Sequence, residues 1–121
     1  MLILGLIVAG MIGAPVRYLV DAALAERAGG VFPLGTTVVN ISGSLVLGVI
    51  TGLALYHAFP ATPKTILGTG FCGAYTTFST FAYETIRLAE ERETSAALRT
   101  VLISLILPAL AAALGLALVA L

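Results

Sequence analysis

The side chains with something to offer an ion fall into two clusters. Asn40 lies in a stretch, 34–59, that carries no charged residue. Thr37, Asn40, Ser44, Gly48 and Thr51 follow one another at helical spacing. At about 3.6 residues per turn they share one stripe. The other faces are mostly Val, Leu and Ile, with Ser42 the polar exception. An amide in such surroundings needs partners. It either joins helices or lines a polar path, and the spacing leaves both open. For Gly48, close helix packing is the simpler reading.

The second cluster lies in 68–81. Gly68, Gly70 and Gly73 weaken a helix there, and Thr76, Thr77, Ser79 and Thr80 compete for its backbone hydrogen bonds. The expectation is a helix broken near 73–77. Breaks at membrane depth occur where the freed backbone lines a cavity or binds an ion. Freed carbonyls suit a small cation. The N-terminus of the following half-helix offers N–H groups and a positive dipole end to an anion. The alternative is an unbroken, glycine-rich packing helix. Phe78 and Phe81 share a face beside the expected break. Aromatic rings have positive edges, which contact an anion without offering a full charge that would trap it. Core filling is the commoner use of such a pair.

Arg17 is by default a snorkelling anchor, and alternatively makes a vestibule attractive to anions. Asp21, four residues on, is placed to pair with it. Thr100 and Ser104 share a helical face, and Pro108 deprives the Ser104 carbonyl of its helical donor, which predicts a kink. His57, Tyr18, Tyr56 and Tyr83 suit interfacial positions.

These residues must be positioned by membrane helices. Of 121 residues, 60% are hydrophobic and 10% charged, whereas soluble domains carry about a quarter charged residues. So short a chain has no means of hiding that much apolar surface from water. Net charge is zero, so the basic footprint of a nucleic-acid binder is missing. Cys72 is the single cysteine and His57 the single histidine, which excludes an intrachain disulfide and a Cys/His metal cluster. No His–carboxylate pair, Ser–Lys pair or phosphate loop supports an enzyme.

Four segments reach the roughly 20 apolar residues that a spanning helix requires: about 2–20, 34–59, 65–86 and 100–121, in one domain covering 1–121. The third extends past Glu84. Residues 2–16 are apolar from the start, with no preceding basic region, so the first segment reads as a retained helix rather than a signal peptide. The connections are short: 21–32 with the Gly29-Gly30 break, a tight hairpin at 60–64, and the charged stretch 87–99. Arg27, Arg87, Arg92 and Arg99 on loops one and three place those loops in the cytoplasm by the positive-inside rule.

Gly13-Ala14 with Arg17-Tyr18, Pro33-Leu34-Gly35-Thr36 with Val39-Asn40, and Gly43-Ser44 with Leu47-Gly48 resemble the first half of a Fluc (CrcB) fluoride channel. The run from Gly70 through Phe71, Cys72, Gly73, Ala74, Tyr75, Thr76, Thr77, Phe78, Ser79 and Thr80 to Phe81 is similar to that family's most diagnostic segment. The resemblance spans nearly the whole chain. It implies an all-α integral membrane protein of four transmembrane helices with a broken third helix, assembled as an antiparallel, dual-topology dimer. Two passive fluoride pores would run along the subunit interface and export cytoplasmic fluoride, conferring fluoride resistance.

By matching positions, the resemblance implies that Asn40 donates a hydrogen bond in the pore and that Phe78 and Phe81 supply ring edges. Thr77, Ser79 and Thr80 would add hydroxyl contacts, with Ser104 contributing from helix four and Arg17 at the vestibule. Carbonyls of Gly73 and Thr76 from both copies would hold a structural sodium ion, Na+. The partners implied are the fluoride ion, the lipid bilayer of a bacterial or archaeal inner (plasma) membrane, and a second copy of the chain or a paired homologue. In the family, a tyrosine often stands where this chain has Thr100. Two other readings compete: a small multidrug-resistance-like four-helix transporter, which needs a carboxylate inside helix one, and a non-conducting membrane assembly subunit.

Overall fold

Uncharged runs of Ala, Leu, Ile and Val fold as helices where lipid forces each segment to satisfy its own backbone polar groups. In the computed structural model, which describes Met1–Leu121, the secondary structure is all helical, with no strand. The long helices are α1 (Leu2–Ala28), α2 (Leu34–Tyr56) and α6 (Thr94–Ala120). Each is long and apolar enough to cross a membrane. Between α2 and α6 lie α3 (Ala61–Thr65), a π-helical stretch (Ile66–Cys72), α4 (Gly73–Tyr75) and α5 (Ser79–Glu90).

Several boundaries differ from the sequence expectation, each for a local reason. α1 does not stop at 20. Residues 21–28 are rich in helix formers, and the helix ends only where Gly29 turns left-handed at φ 49°. α6 begins at Thr94 rather than 100 because Ala96, Ala97, Leu98 and Arg99 all favour helix. The second connection turns at 57–60, not 60–64: α2 ends at Tyr56, Ala58 takes a positive φ of 52°, and Pro60 caps α3. Pro63 falls in the first turn of α3, where its missing N–H breaks no helical bond. Pro108 lies inside α6 without interrupting it.

Small residues bring the helices together. A Cβ at Gly48 would collide with the Ala112 carbonyl oxygen, and one at Gly115 with that of Leu45, so α2 and α6 approach almost backbone to backbone. On the other side α1 lies along the π-helical stretch, where a Cβ at Gly13 would come within 2.6 Å of the Phe71 carbonyl oxygen. Only 18 of the 121 residues are buried, while Ile3, Met11, Leu105 and Leu110 are all more than half exposed. In water such a surface would drive aggregation. In a bilayer it faces lipid, and packing falls to close contacts between small residues.

Candidate functional site

The helical run that begins at Ala61 stops at Tyr75. The Cys72 carbonyl accepts both the Thr76 backbone N–H, at 2.9 Å, and the Thr76 hydroxyl, at 2.8 Å. Thr76 then turns to extended backbone, φ −78° and ψ 162°, and helix resumes only at Ser79. Tyr75, which is buried, stacks on Phe71 and meets the Ser42 hydroxyl at 2.9 Å. Ser42, the polar exception on α2, therefore fixes the end of α4.

Asn40 takes over where the helical ladder fails. Its Nδ2 donates to the Thr77 carbonyl at 2.9 Å, and its Oδ1 accepts the Thr77 N–H at 2.8 Å. One side-chain amide thereby pairs with one peptide unit in both directions, as a neighbouring strand would. The Thr77 N–H is the group that would otherwise bond the Gly73 carbonyl in an α-helix, so that carbonyl is released. An amide nitrogen carries two hydrogens. The second Nδ2 hydrogen of Asn40 remains for another acceptor.

Beyond Thr77 the hydroxyls form a chain. Thr77 Oγ1 donates to Thr80 Oγ1 at 3.0 Å, accepts the Thr80 N–H at 3.2 Å, and lies 3.3 Å from Ser79 Oγ. The Phe78 and Phe81 rings sit with centroids 5.6 Å apart and planes tilted by 59°, and Phe78 is 77% exposed.

Two cavities meet at this point. One, of about 320 Å³, is lined by Asn40, Ser44, Phe78, Phe81 and Ser104, with Gly73, Thr76 and Thr77 on its wall. The other, of about 220 Å³, is lined by Arg17, Asp21, Thr36, Thr77 and Thr80. Thr77 belongs to both. The structure thus brings together all the candidate residues except Ser79, which lines neither cavity and touches the group through Thr77.

The helix-two stripe divides. Asn40 and Ser44 face the larger cavity, whereas Gly48 packs against α6 and Thr37 bonds back to the Pro33 carbonyl at 2.8 Å. Thr100 is almost fully buried, 1% exposed, and its hydroxyl returns to the Ala96 carbonyl, so α6 reaches the cavity through Ser104, Leu105 and Pro108, of which only Ser104 offers a polar side chain.

Arg17 does not pair with Asp21. Its Nη1 donates to the Thr76 carbonyl at 3.2 Å, and the sole salt bridge in the chain is the exposed Arg87–Glu91 pair at 3.6 Å. The released carbonyl at the break is a better-placed acceptor than a side chain one turn along the same helix. Sequence reasoning missed this contact and the π-helical stretch, since neither leaves a local signature. His57, by contrast, is exposed at the end of α2, where its Nε2 meets the Val119 carbonyl at 2.9 Å.

The sequence profile of the family described as "CrcB-like protein, Camphor Resistance (CrcB)" matches residues 4–116. The chain is similar to "Fluoride-specific ion channel FluC 1" of Leifsonia xyli subsp. xyli, 49% identical over 116 residues that cover 96% of this chain and 85% of the relative. It is similar also to "Fluoride-specific ion channel FluC 2" of Mycolicibacterium paratuberculosis, 47% identical over 92% of this chain and 88% of that one. A third relative, "Fluoride-specific ion channel FluC 1" of Nocardia farcinica, is 53% identical over 78% of this chain and 64% of its own length. The chain belongs to the CrcB family.

Proposed function

We propose that this protein is a fluoride-specific ion channel, a multi-pass membrane protein and not an enzyme. The observation that carries the reading is the Asn40–Thr77 junction, where the hydroxyl chain, the two tilted phenylalanines and the arginine-lined cavity meet within a chain of this family. An anion entering beside Arg17 is attracted by the guanidinium without being trapped by it, because Nη1 is already held by the Thr76 carbonyl. It then exchanges water for the hydroxyls of Thr80 and Thr77, with Ser79 alongside. The free hydrogen of Asn40 Nδ2 and the positive edges of the Phe78 and Phe81 rings carry it onward to Ser104. None of these groups offers a full positive charge in the narrow part, so binding is weak enough to release the ion. The multidrug-resistance-like reading needs a carboxylate within the apolar part of helix one, and residues 2–20 have none: Asp21 and Glu26 fall in the extension of α1 beyond it.

The third crossing in this reading is the composite of α3, the π-helical stretch, α4 and α5, interrupted at 76–78. The assembly is an antiparallel homodimer in the inner (plasma) membrane. Support comes from the larger cavity, where Asn40, Ser44, Thr77 and Ser104 would otherwise face hydrocarbon. A second copy laid across that face closes it. Gly73 and Thr76 line the same cavity; the Gly73 carbonyl is released from the helical ladder, and the Thr76 carbonyl keeps a lone pair that Arg17 does not use. Oxygen donors of this kind suit Na+, which these two carbonyls of each copy would hold as a structural ion. A bacterium deprived of its own fluoride export should recover growth on fluoride when this gene is supplied; unchanged sensitivity with the protein present in the membrane would oppose the reading.

A further inference from the structure

Tyr75 is the last helical residue before the break, and it is buried. A buried phenol needs a partner for its hydroxyl. Tyr75 finds one by reaching around α2. Its ring crosses that helix at Gly43, where an added Cβ would stand 3.0 Å from the ring carbon Cδ1 and would collide with the Thr76 methyl group. Its hydroxyl then meets Ser42 Oγ at 2.9 Å. The Ser42 hydroxyl has one hydrogen, which goes to the Val39 carbonyl at 3.2 Å. Tyr75 is therefore the donor and Ser42 the acceptor in the bond between them.

Asn40 holds Thr77, two residues further along the chain. Residues two apart on a helix are turned by about 200°, so Asn40 and Ser42 project from nearly opposite sides of α2. The break thus grips one helix from both flanks: Tyr75 at Ser42, Thr77 at Asn40, and Thr76 seated on the bare backbone of Gly43 between them. The Thr76 carbonyl is held in turn by Arg17 of α1. Tyr75 also stacks on Phe71, with ring centroids 5.7 Å apart and planes 10° from parallel.

We propose that Tyr75 is a positioning residue: through its hydrogen bond to Ser42 it sets where Thr76 and Thr77 stand against α2. Tyr75 lines neither cavity, so it acts through its two successors. A polar site works only when its groups are held to within about 0.5 Å by neighbours that are themselves locked. Without the Ser42 bond the ring keeps its stack on Phe71 but loses its stop on α2, and the 76–77 segment is freed to shift. The consequence for fluoride flux rests on the channel reading; the positioning does not.

The test compares the full-length wild type with Tyr75→Phe, Ser42→Ala and the double variant. The direction of the bond makes the single variants unequal. Tyr75→Phe keeps the ring and leaves no buried hydroxyl unpaired, so its unfolding temperature in detergent should stay near that of the wild type. Ser42→Ala strands the Tyr75 hydroxyl and should unfold at a lower temperature, and adding Tyr75→Phe should restore it. Amide hydrogen exchange at Thr76 and Thr77 should nonetheless be faster than in the wild type in Tyr75→Phe and in the double variant, and fluoride efflux from proteoliposomes several-fold slower. A role in packing alone predicts that exchange and flux recover together with the unfolding temperature. Wild-type exchange at Thr76 and Thr77 in both variants, or undiminished flux in both when the wild type conducts, would overturn the proposal. The expected exchange pattern in a wild type and variants that all release no fluoride would uphold the positioning and count against the channel reading alone.

Discussion

Asn40 and Thr77, 37 positions apart in sequence, are joined by two hydrogen bonds of 2.9 and 2.8 Å that tie the side chain of one to the backbone of the other. The pair makes the interrupted segment a defined structure rather than a frayed one, because it satisfies an N–H and a C=O that α-helix would have consumed. Each such group left unsatisfied when buried costs about 1–3 kcal/mol. Asn40→Ala should therefore lower thermal stability in detergent and abolish fluoride flux. Asn40→Asp keeps the acceptor for the Thr77 N–H but sets a carboxylate oxygen against the Thr77 carbonyl, and should also fail to conduct. Wild-type flux in both variants would contradict the role given to this amide.

In the proposed pathway the phenylalanines act through their edges, so an aliphatic side chain of comparable bulk should fill their space without their chemistry. Phe78→Ile and Phe81→Ile should each cut fluoride efflux by at least about tenfold, the equivalent of about 1.4 kcal/mol. Their elution on size-exclusion chromatography should match that of the wild type. Undiminished flux in both variants would remove the rings from the pathway.

Gly10 and Gly13 lie on the same face of α1 and provide an internal control. A Cβ at Gly13 would stand 2.6 Å from the Phe71 carbonyl oxygen and 3.2 Å from the Tyr75 nitrogen, whereas one at Gly10 meets nothing closer than 3.9 Å. Both obstacles at Gly13 are backbone, so relief requires α1 to move away from the π-helical stretch. Gly13→Ala should destabilise the protein by about 1–3 kcal/mol, as overpacking does. Gly10→Ala should unfold at the wild-type temperature. Equal unfolding temperatures for the two variants would refute the close approach.

In the proposed pathway Arg17 acts at range, through its charge. Arg17→Gln retains a donor for the Thr76 carbonyl and loses the field. Single-channel or efflux rates should fall several-fold at low ionic strength, and the deficit should shrink as salt screens the wild-type charge over about 8–10 Å. A deficit independent of salt would assign Arg17 a purely structural part.

How much of this was readable in the sequence depended on the range of the interaction. The apolar runs announced α1, α2 and α6 because lipid solvation acts on each segment separately. The interruption near Thr76 was visible as glycines followed by hydroxyls, and Asn40 stood out as a lone amide among Val and Ile. The contacts that give those residues their geometry are long-range: Arg17 with Thr76, Ser42 with Tyr75, and Asn40 with Thr77. Arg17 looked like a partner for Asp21 because helical spacing shows only neighbours on the same helix. The helix ends shifted for a different reason. Residues 21–28 and 94–99 carry charges yet favour helix, so the helices extend beyond their apolar portions.

The central claim is that the wall built around Asn40, Thr77, Phe78 and Phe81 passes fluoride. It is tested most directly with purified protein in proteoliposomes, by following efflux with a fluoride electrode and running a matched chloride assay. The account predicts rapid fluoride release that requires a potassium ionophore for charge balance, with no chloride release. Well-folded protein that releases neither ion, or both alike, would contradict it.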